Sequence, residues 1–327
     1  MDTNIIHTGD CLQVSERIPS GSVDLILTDP PYGTMKGVDS IDGWDSDEVD
    51  WDDAIPPEKL IEISERILRK GGRAVFFSQE PYTSTMIGEA TANLPFSYRM
   101  VWEKNVHGNT LLSNVAPVNM FEDIVVFTKS YDSEGNHPLR SYSKQLLEYI
   151  GHSLNDINKD LGHRGAEHFF YVESSQFELC TRETYTELIE EYSINNMDGF
   201  KQYSEIKNIA ERYKPVFNLP DGESVKKNVL EYSKPHEGKH PTQKPVPLLA
   251  DLIKTFTNSG DLVVDLTTGS GSTCVACRQQ NRQYIGIEKD EEYAEIARVR
   301  TGEDPQDPTV LRSDSNQTGL EAYKVTQ

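Results

Sequence analysis

Asp29-Pro30-Pro31-Tyr32 is the stretch of this sequence best suited to chemistry. It follows Val23–Thr28, an apolar run that reads as a buried parallel strand. A carboxylate, two prolines and an aromatic ring therefore stand at the carboxyl end of a strand. In an open α/β sheet that edge is where ligands bind. The prolines stiffen the turn and lack backbone donors. What remains is rich in acceptors: the Asp29 carboxylate and the Pro30 and Pro31 carbonyls. Such a cluster suits a planar amino group with two hydrogens to give, and Tyr32 adds a ring on which a flat base can stack. The tetrapeptide alone also fits a stiff turn with an exposed tyrosine, so the rest of the chain has to decide.

Residues 261–288 supply a second site, read as strand, glycine turn, helix and strand. Asp265 closes the first strand, Thr267, Gly269, Gly271 and Ser272 make the turn, and Glu288 ends the second strand. Glycine lets backbone approach a ligand where a Cβ would clash. Glu288 follows at the distance where an acid holds ribose hydroxyls. NAD(P) is the rival cofactor, but the third glycine of its G-x-G-x-x-G signature falls on Cys274. Only one helix, 291–300, and a polar tail come after Glu288. The strands needed to complete the sheet lie beside Asp29, at the other end of the chain. The expected fold is α/β, a doubly wound sheet in permuted order.

D-P-P-Y near the N-terminus, H-P-T-Q-K-P at 240–245 and D-x-x-x-G-S-G-x-T at 265–273, in this order, resemble the β-class amino DNA methyltransferases. Thr8-Gly9-Asp10-Cys11, Trp102-Glu103-Lys104 and the run from Phe121-Glu122-Asp123 to Lys129 fit the same pattern. The likeness covers nearly all of residues 1–130 and 236–300. It implies S-adenosylmethionine as cofactor, with Asp10 and Cys11 near its adenine and Thr242 and Lys244 near its methionine end. The family usually carries Phe two residues after the motif acid; here that residue is Thr267. Within the family, Asp at the first position of D-P-P-Y goes with adenine and Ser with cytosine. The resemblance thus implies methylation of the exocyclic N6 amine of an adenine in double-stranded DNA, in a restriction-modification setting, by a protein whose relatives often form homodimers. The amine's lone pair is delocalised into the ring. Acceptors on its hydrogens, Asp29 and the Pro30 carbonyl, favour a pyramidal nitrogen and free that pair, and the carboxylate meets the charge that builds there. A base in duplex must first be flipped out, and Tyr32 then stacks on it. The alternatives are N4-cytosine methylation, methylation of an amine in RNA or protein, and a catalytically silent DNA-binding regulator on the same fold.

With 327 residues there is room for one large core and a smaller module. No apolar run is long enough to span a membrane, the N-terminus is polar, and four cysteines lack a disulfide framework, so a cytoplasmic protein is expected. Cys274 and Cys277, one helical turn apart, are expected to pack as small apolar groups and not to bind metal. The net charge of −21 argues against nucleic acid when taken as a whole. Much of the acid, however, is concentrated in 39–58, whereas Lys226, Lys227, Lys234 and Lys239 form a basic stretch that could grip phosphates.

Spacing predicts a helix over 57–70 stopped by Gly71-Gly72, a strand at 74–78, a helix at 82–92, and a hairpin-like strand pair at 96–103 and 121–129. The segment 33–55 reads as a long polar loop. Composition shifts at Ser130. Residues 131–235 are polar and rich in helix formers, with two short helices around Gly151-His152-Ser153 that suggest a helix-turn-helix. This inserted α-helical domain sits where the resembled family keeps its target-recognition domain. Residues 236–300 are the cofactor half, and 301–327 read as a disordered tail.

Overall fold

The computed structural model describes residues 2–33, 54–108, 117–133, 135–220, 222–235 and 243–303. The predicted loop over 33–55, the sites at Lys239 and Thr242, and the tail beyond Glu303 fall wholly or mostly outside them.

The chain begins with β1 (Ile5–Thr8), α1 (Cys11–Val14), β2 (Val23–Thr28), α2 (Pro57–Ile67), β3 (Leu68–Ser78), α3 (Tyr82–Gly88), β4 (Phe96–Gly108) and β5 (Asn119–Thr128). A helical stretch follows: α4 (Leu139–Ile150), α5 (Leu154–Leu161), α6 (Glu167–Phe170), α7 (Arg182–Tyr192) and α8 (Tyr203–Glu211). The sheet then resumes with β6 (Val229–Glu231), α9 (Val246–Phe256), β7 (Leu262–Asp265), α10 (Ser272–Gln279), β8 (Gln283–Glu288) and α11 (Glu291–Thr301).

One eight-stranded sheet has the order β1-β8-β7-β2-β3-β5-β4-β6. Every strand runs the same way except β5, which is antiparallel to both β3 and β4. The first and last thirds of the chain thus interleave, as the permuted order requires. The central strands are apolar on both faces because both are covered. Leu25, Val75, Phe77, Ile124 and Val126 pack with α9, α10 and α11, while Val23, Ala74, Phe76, Val125 and Phe127 pack with α1, α2 and α3. Cys274 and Cys277 are fully buried in the first of these cores, as small apolar packing requires.

Two departures from the sequence reading have a physical cause. Gly71-Gly72 does not stop a helix: α2 ends at Ile67, and β3 starts at Leu68 and runs straight on through the glycines. Between the pairs Val23↔Leu68 and Leu25↔Arg73 the register shifts, so the glycines lie in a bulge. Gly71 has φ +78°, and a Cβ there would stand 2.6 Å from the Tyr213 carbonyl oxygen, because 213–215 crosses at this point. The insert also ends sooner than 235: β6 pairs with β4 and extends the sheet.

The helices α4–α8 build a core of their own around Leu146, Ile157, Phe169, Tyr185, Leu188 and Ile206. Ser153 caps α5 by accepting from the Asp156 N–H at 3.2 Å. Because β5 is antiparallel, the chain leaves it at the amino edge of the parallel strands, and the module stays there. Asn136 donates to the Ser20 carbonyl, Lys70 pairs with Glu178 at 2.5 Å, and the Arg69 guanidinium lies 5.7 Å from the Tyr213 ring centre. These partners flank the starts of β2 and β3. The six residues of β2 separate them from the carboxyl edge by about 20 Å.

Candidate active site

β2 ends at Thr28 between β7 and β3. The connections diverge to the two sides here, which opens a crevice at the carboxyl edge. The Thr28 hydroxyl donates to Asp265 Oδ1 at 2.5 Å and accepts from the Leu266 N–H at 2.9 Å. Thr267 adds a second latch: its hydroxyl donates to the Asp29 carbonyl at 2.9 Å. The residue that replaces the family's usual Phe therefore ties the D-P-P-Y turn to the glycine turn.

A cavity of about 670 Å³ lies over this seam. Asp29, Pro30, Pro31 and Tyr32 line it from one side, and Asp265, Thr267, Gly269, Ser272 and Glu288 from the other, with Asp10, Cys11 and Lys244 completing the wall. Gly271 is not in the wall. It sits behind the turn with φ +84°, where a Cβ would stand 2.8 Å from that of Ala297. Asp10 caps α1 through the Leu12 N–H at 2.8 Å. Burial, with Asp10 adding, raises the Cys11 thiol to about 12, so it stays protonated. Glu288 accepts from the Gly269 N–H at 2.6 Å and from the Asp290 N–H at 2.9 Å. Burial raises its pKa against these two bonds.

Asp29 is tethered at both carboxylate oxygens. The Tyr32 hydroxyl donates to Oδ1 at 3.0 Å and the Lys244 ammonium to Oδ2. Burial pushes its pKa up, Lys244 pulls it down and the charge of Glu122 raises it. Tyr32 leans on Tyr82, ring centres 5.8 Å apart and 46° to each other. The Pro31 carbonyl accepts from the Ile55 N–H at 3.3 Å.

Asp265 is fully buried at the seam. Burial raises it to about 6 from 3.8, against hydrogen bonds from Thr28, Thr273 and the Thr267 N–H. The unfolded chain thus loses this proton first. With respect to this group, stability is full below the unfolded value and falls as pH rises through the folded one. The total loss is about 3 kcal/mol, of which about 1 kcal/mol falls between pH 5.5 and 7.5. Asp265→Asn should flatten the pH dependence of the urea midpoint over that interval; an unchanged slope would assign the dependence to other groups.

The basic stretch is only partly what its spacing suggests. Lys226 is not available to phosphates: its ammonium meets both oxygens of Asp251 on α9 at 2.7 Å, with the side chain 5% exposed. A single charge in sequence carries no sign of such a partner 25 residues away. Lys227 is exposed. Lys234 is half-buried, and burial together with Lys104 and Lys244 lowers its pKa. Sequence reasoning also gave no role to Glu122, Gln79 or Gln243, all of which line the cavity. For Glu122 there was a signal: an acid two residues before a wholly apolar strand run, paired across a hairpin with a strand that carries Lys104.

S-adenosylmethionine fits this cavity. The volume lies within the range of about 300–1,000 Å³ usual for small-molecule sites. Its wall offers a carboxylate for ribose hydroxyls, and the amino end of α10 favours the carboxylate of a methionine. The D-P-P-Y turn and the glycine turn face each other across the switch point, the arrangement expected of an S-adenosylmethionine-dependent amino methyltransferase. Residues 23–299 match the family model described as DNA methylase, of the N6/N4 type. The chain belongs to that family, and its chemistry is the S-adenosylmethionine-dependent methylation of DNA. It is 27% identical over 306 residues to the DNA adenine methyltransferase YhdJ of Escherichia coli K12, covering 89% of this chain and 80% of that protein. To the type II methyltransferase M2.MboI of Moraxella bovis it is 24% identical over 306 residues, 90% of this chain and 86% of the other. In fold it is similar to the PvuII cytosine-N4-specific DNA methyltransferase, with TM-score 0.51 and 15% identity over 90% of this chain and 85% of that one. Among the described residues, no helix is long and apolar enough to cross a membrane.

Proposed function

We propose that the protein methylates the N6 amine of an adenine flipped out of duplex DNA at a defined sequence. The observation that carries this reading is the doubly tethered Asp29 carboxylate beside the Pro30 carbonyl, facing the glycine turn across one cavity. S-adenosylmethionine supplies a methyl group already activated by its sulfonium. Asp29 and the Pro30 carbonyl accept the two amine hydrogens and aim the nitrogen's lone pair. As the N–CH3 bond forms and the C–S bond breaks to release S-adenosylhomocysteine, the Asp29 carboxylate stabilises the cationic nitrogen, which then gives up one proton to solvent. Tyr32 holds the base by stacking, an interaction worth about 1–3 kcal/mol. Lys227 and Lys234 contribute charge towards the phosphates.

The same geometry accepts the N4 amine of cytosine, and PvuII methyltransferase, named for that product, has a similar fold. Adenine is favoured by Asp29 at the first motif position and by relatives matched over most of their length, one of them named for adenine. Mass spectrometry of nucleosides from DNA treated with the protein should find N6-methyladenine. N4-methylcytosine as the sole product would overturn the assignment.

The helical module was expected to choose the target, but its contacts at the amino edge do not support that role. A flipped base enters at the other edge of the sheet. Replacing residues 131–214 by a short linker should leave the same sites methylated, as read by sequencing of modified DNA. Loss of site choice with retained transfer would return recognition to the module.

A further inference from the structure

Behind Asp29 lies a chain of charges that the acceptor cluster does not explain. Lys244 is 6% exposed, donates to Asp29 Oδ2 and reaches Glu122 Oε2 at 3.2 Å. Glu122 Oε1 is 2.7 Å from the ammonium of Lys104, whose side chain is 4% exposed. The order is Lys104, Glu122, Lys244, Asp29, alternating in sign and ending on the carboxylate that faces the cavity. Apolar walls hold it: Lys104 lies 5.6 Å from the Trp102 ring centre and Lys244 5.2 Å from that of Phe77. Three strands contribute, since Trp102 on β4 pairs with Glu122 on β5, and Phe77 belongs to β3.

Buried ion pairs are poor devices for stability, because apolar residues of similar size serve as well or better. A four-member chain is harder still to account for as a fold-stabilising feature. Its terminus suggests another purpose. Each Asp29 oxygen has one fixed donor, Tyr32 on Oδ1 and Lys244 on Oδ2, so the plane of the carboxylate is set. The Lys244 tether is only as well placed as Lys244 itself, and Glu122 places it.

We infer that Glu122 is a positioning residue for methyl transfer, holding Lys244 so that Lys244 orients Asp29 and does not quench it as an acceptor. This rests on the reading of Asp29 as the amine acceptor. Shared between two carboxylates, Lys244 gives Asp29 only part of its charge. Burial opposes ionisation of Glu122, but Lys244 and Lys104 outweigh it and keep Glu122 below its ordinary pKa. Burial likewise opposes the Lys244 charge, and Asp29 with Glu122 outweighs it. Lys234 adds positive charge from the segment after β6, Asp265 faces Asp29 from β7, and Tyr32 bonds it within its own turn.

The test is a set of variants with opposite expected signs. Glu122→Gln removes a negative charge, so Asp29 becomes the one charged carboxylate paired with Lys244 among the described residues. Turnover should fall about ten- to a hundredfold, the cost usual for groups that orient a reacting ligand, and the acid limb of the pH profile should move to lower pH. Lys244→Met leaves two carboxylates facing each other, and the acid limb should move to higher pH. Glu122→Gln also strands Lys104, so its melting temperature should drop. Adding Lys104→Met should restore the melting temperature but not turnover. Calorimetry of S-adenosylmethionine with Glu122→Gln tells the two roles apart: a fall in affinity as large as the loss of turnover would overturn the inference. An unchanged pH profile in Glu122→Gln, or turnover regained with the melting temperature in the double variant, would overturn the inference. Turnover retained in Asp29→Asn would instead overturn the reading beneath it.

Discussion

Asp29→Asn should lose about a thousandfold in turnover, the scale set by removing a preorganised charge from a reacting centre, and should bind S-adenosylmethionine as tightly as the parent. Asn keeps the shape and one acceptor but lacks the charge that stabilises a cationic nitrogen. It also presents a second donor in place of an acceptor. Asn is the better choice than Ala here. Lys244 is buried, and truncating Asp29 removes one of the two carboxylates it pairs with among the described residues. Breaking a buried pair costs about 3–5 kcal/mol when no other partner is present, so Asp29→Ala should also lower the melting temperature. Single-turnover transfer of a labelled methyl group, with calorimetry of the cofactor, separates the two effects. Full turnover in Asp29→Asn would remove the carboxylate from the reaction.

Gly271→Ala should be the most damaging single change on the cofactor side, although the residue does not line the cavity. Two penalties coincide there. The backbone is left-handed at φ +84°, which costs an L-residue about 1–2 kcal/mol. The new Cβ would also stand 2.8 Å from Cβ and 2.9 Å from Cα of Ala297 on α11. Overpacking of this kind costs about 1–3 kcal/mol. Relief requires α11 to back away or the turn to move towards the cavity. S-adenosylmethionine affinity should fall at least about tenfold, the equivalent of 1.4 kcal/mol, with a lower melting temperature. Normal affinity by calorimetry would mean the turn absorbs the methyl group without moving its cavity-facing atoms.

That the two motifs meet in one candidate site was legible in sequence because both stand at strand ends. D-P-P-Y after β2 and the glycine turn after β7 are local patterns, and a sheet has few ways to bring two carboxyl ends together. Glu122 and Lys104 were not legible as a site. Each has other charged or polar residues beside it, Glu103 and Asn105 next to Lys104 and Asp123 next to Glu122, and the register Trp102↔Glu122 is what shows that they share a face. Lys226 was misread for the converse reason: its partner Asp251 lies on a helix beyond the next strand. Gly71-Gly72 looks like a helix stop because the crossing chain that demands it comes from 213–215. The place of the helical module was beyond reach in a different way. Order along the chain puts it between the two halves, but the antiparallel direction of β5 decides which edge it occupies.

The module enters and leaves at one corner. The Gly71 N–H donates to the Lys129 carbonyl at 2.9 Å, and the returning chain at Tyr213 passes directly over Gly71. The whole helical body therefore hangs from a point on the rim, with its own apolar interior. For the sheet, everything from Ser130 to Lys214 amounts to a single surface loop. Lengthening such a loop is cheap, about 0.6 kcal/mol per doubling of its span. This corner is a socket: domains of different size and purpose can be exchanged there over evolution, or by engineering, while the strands that carry the reaction keep their register.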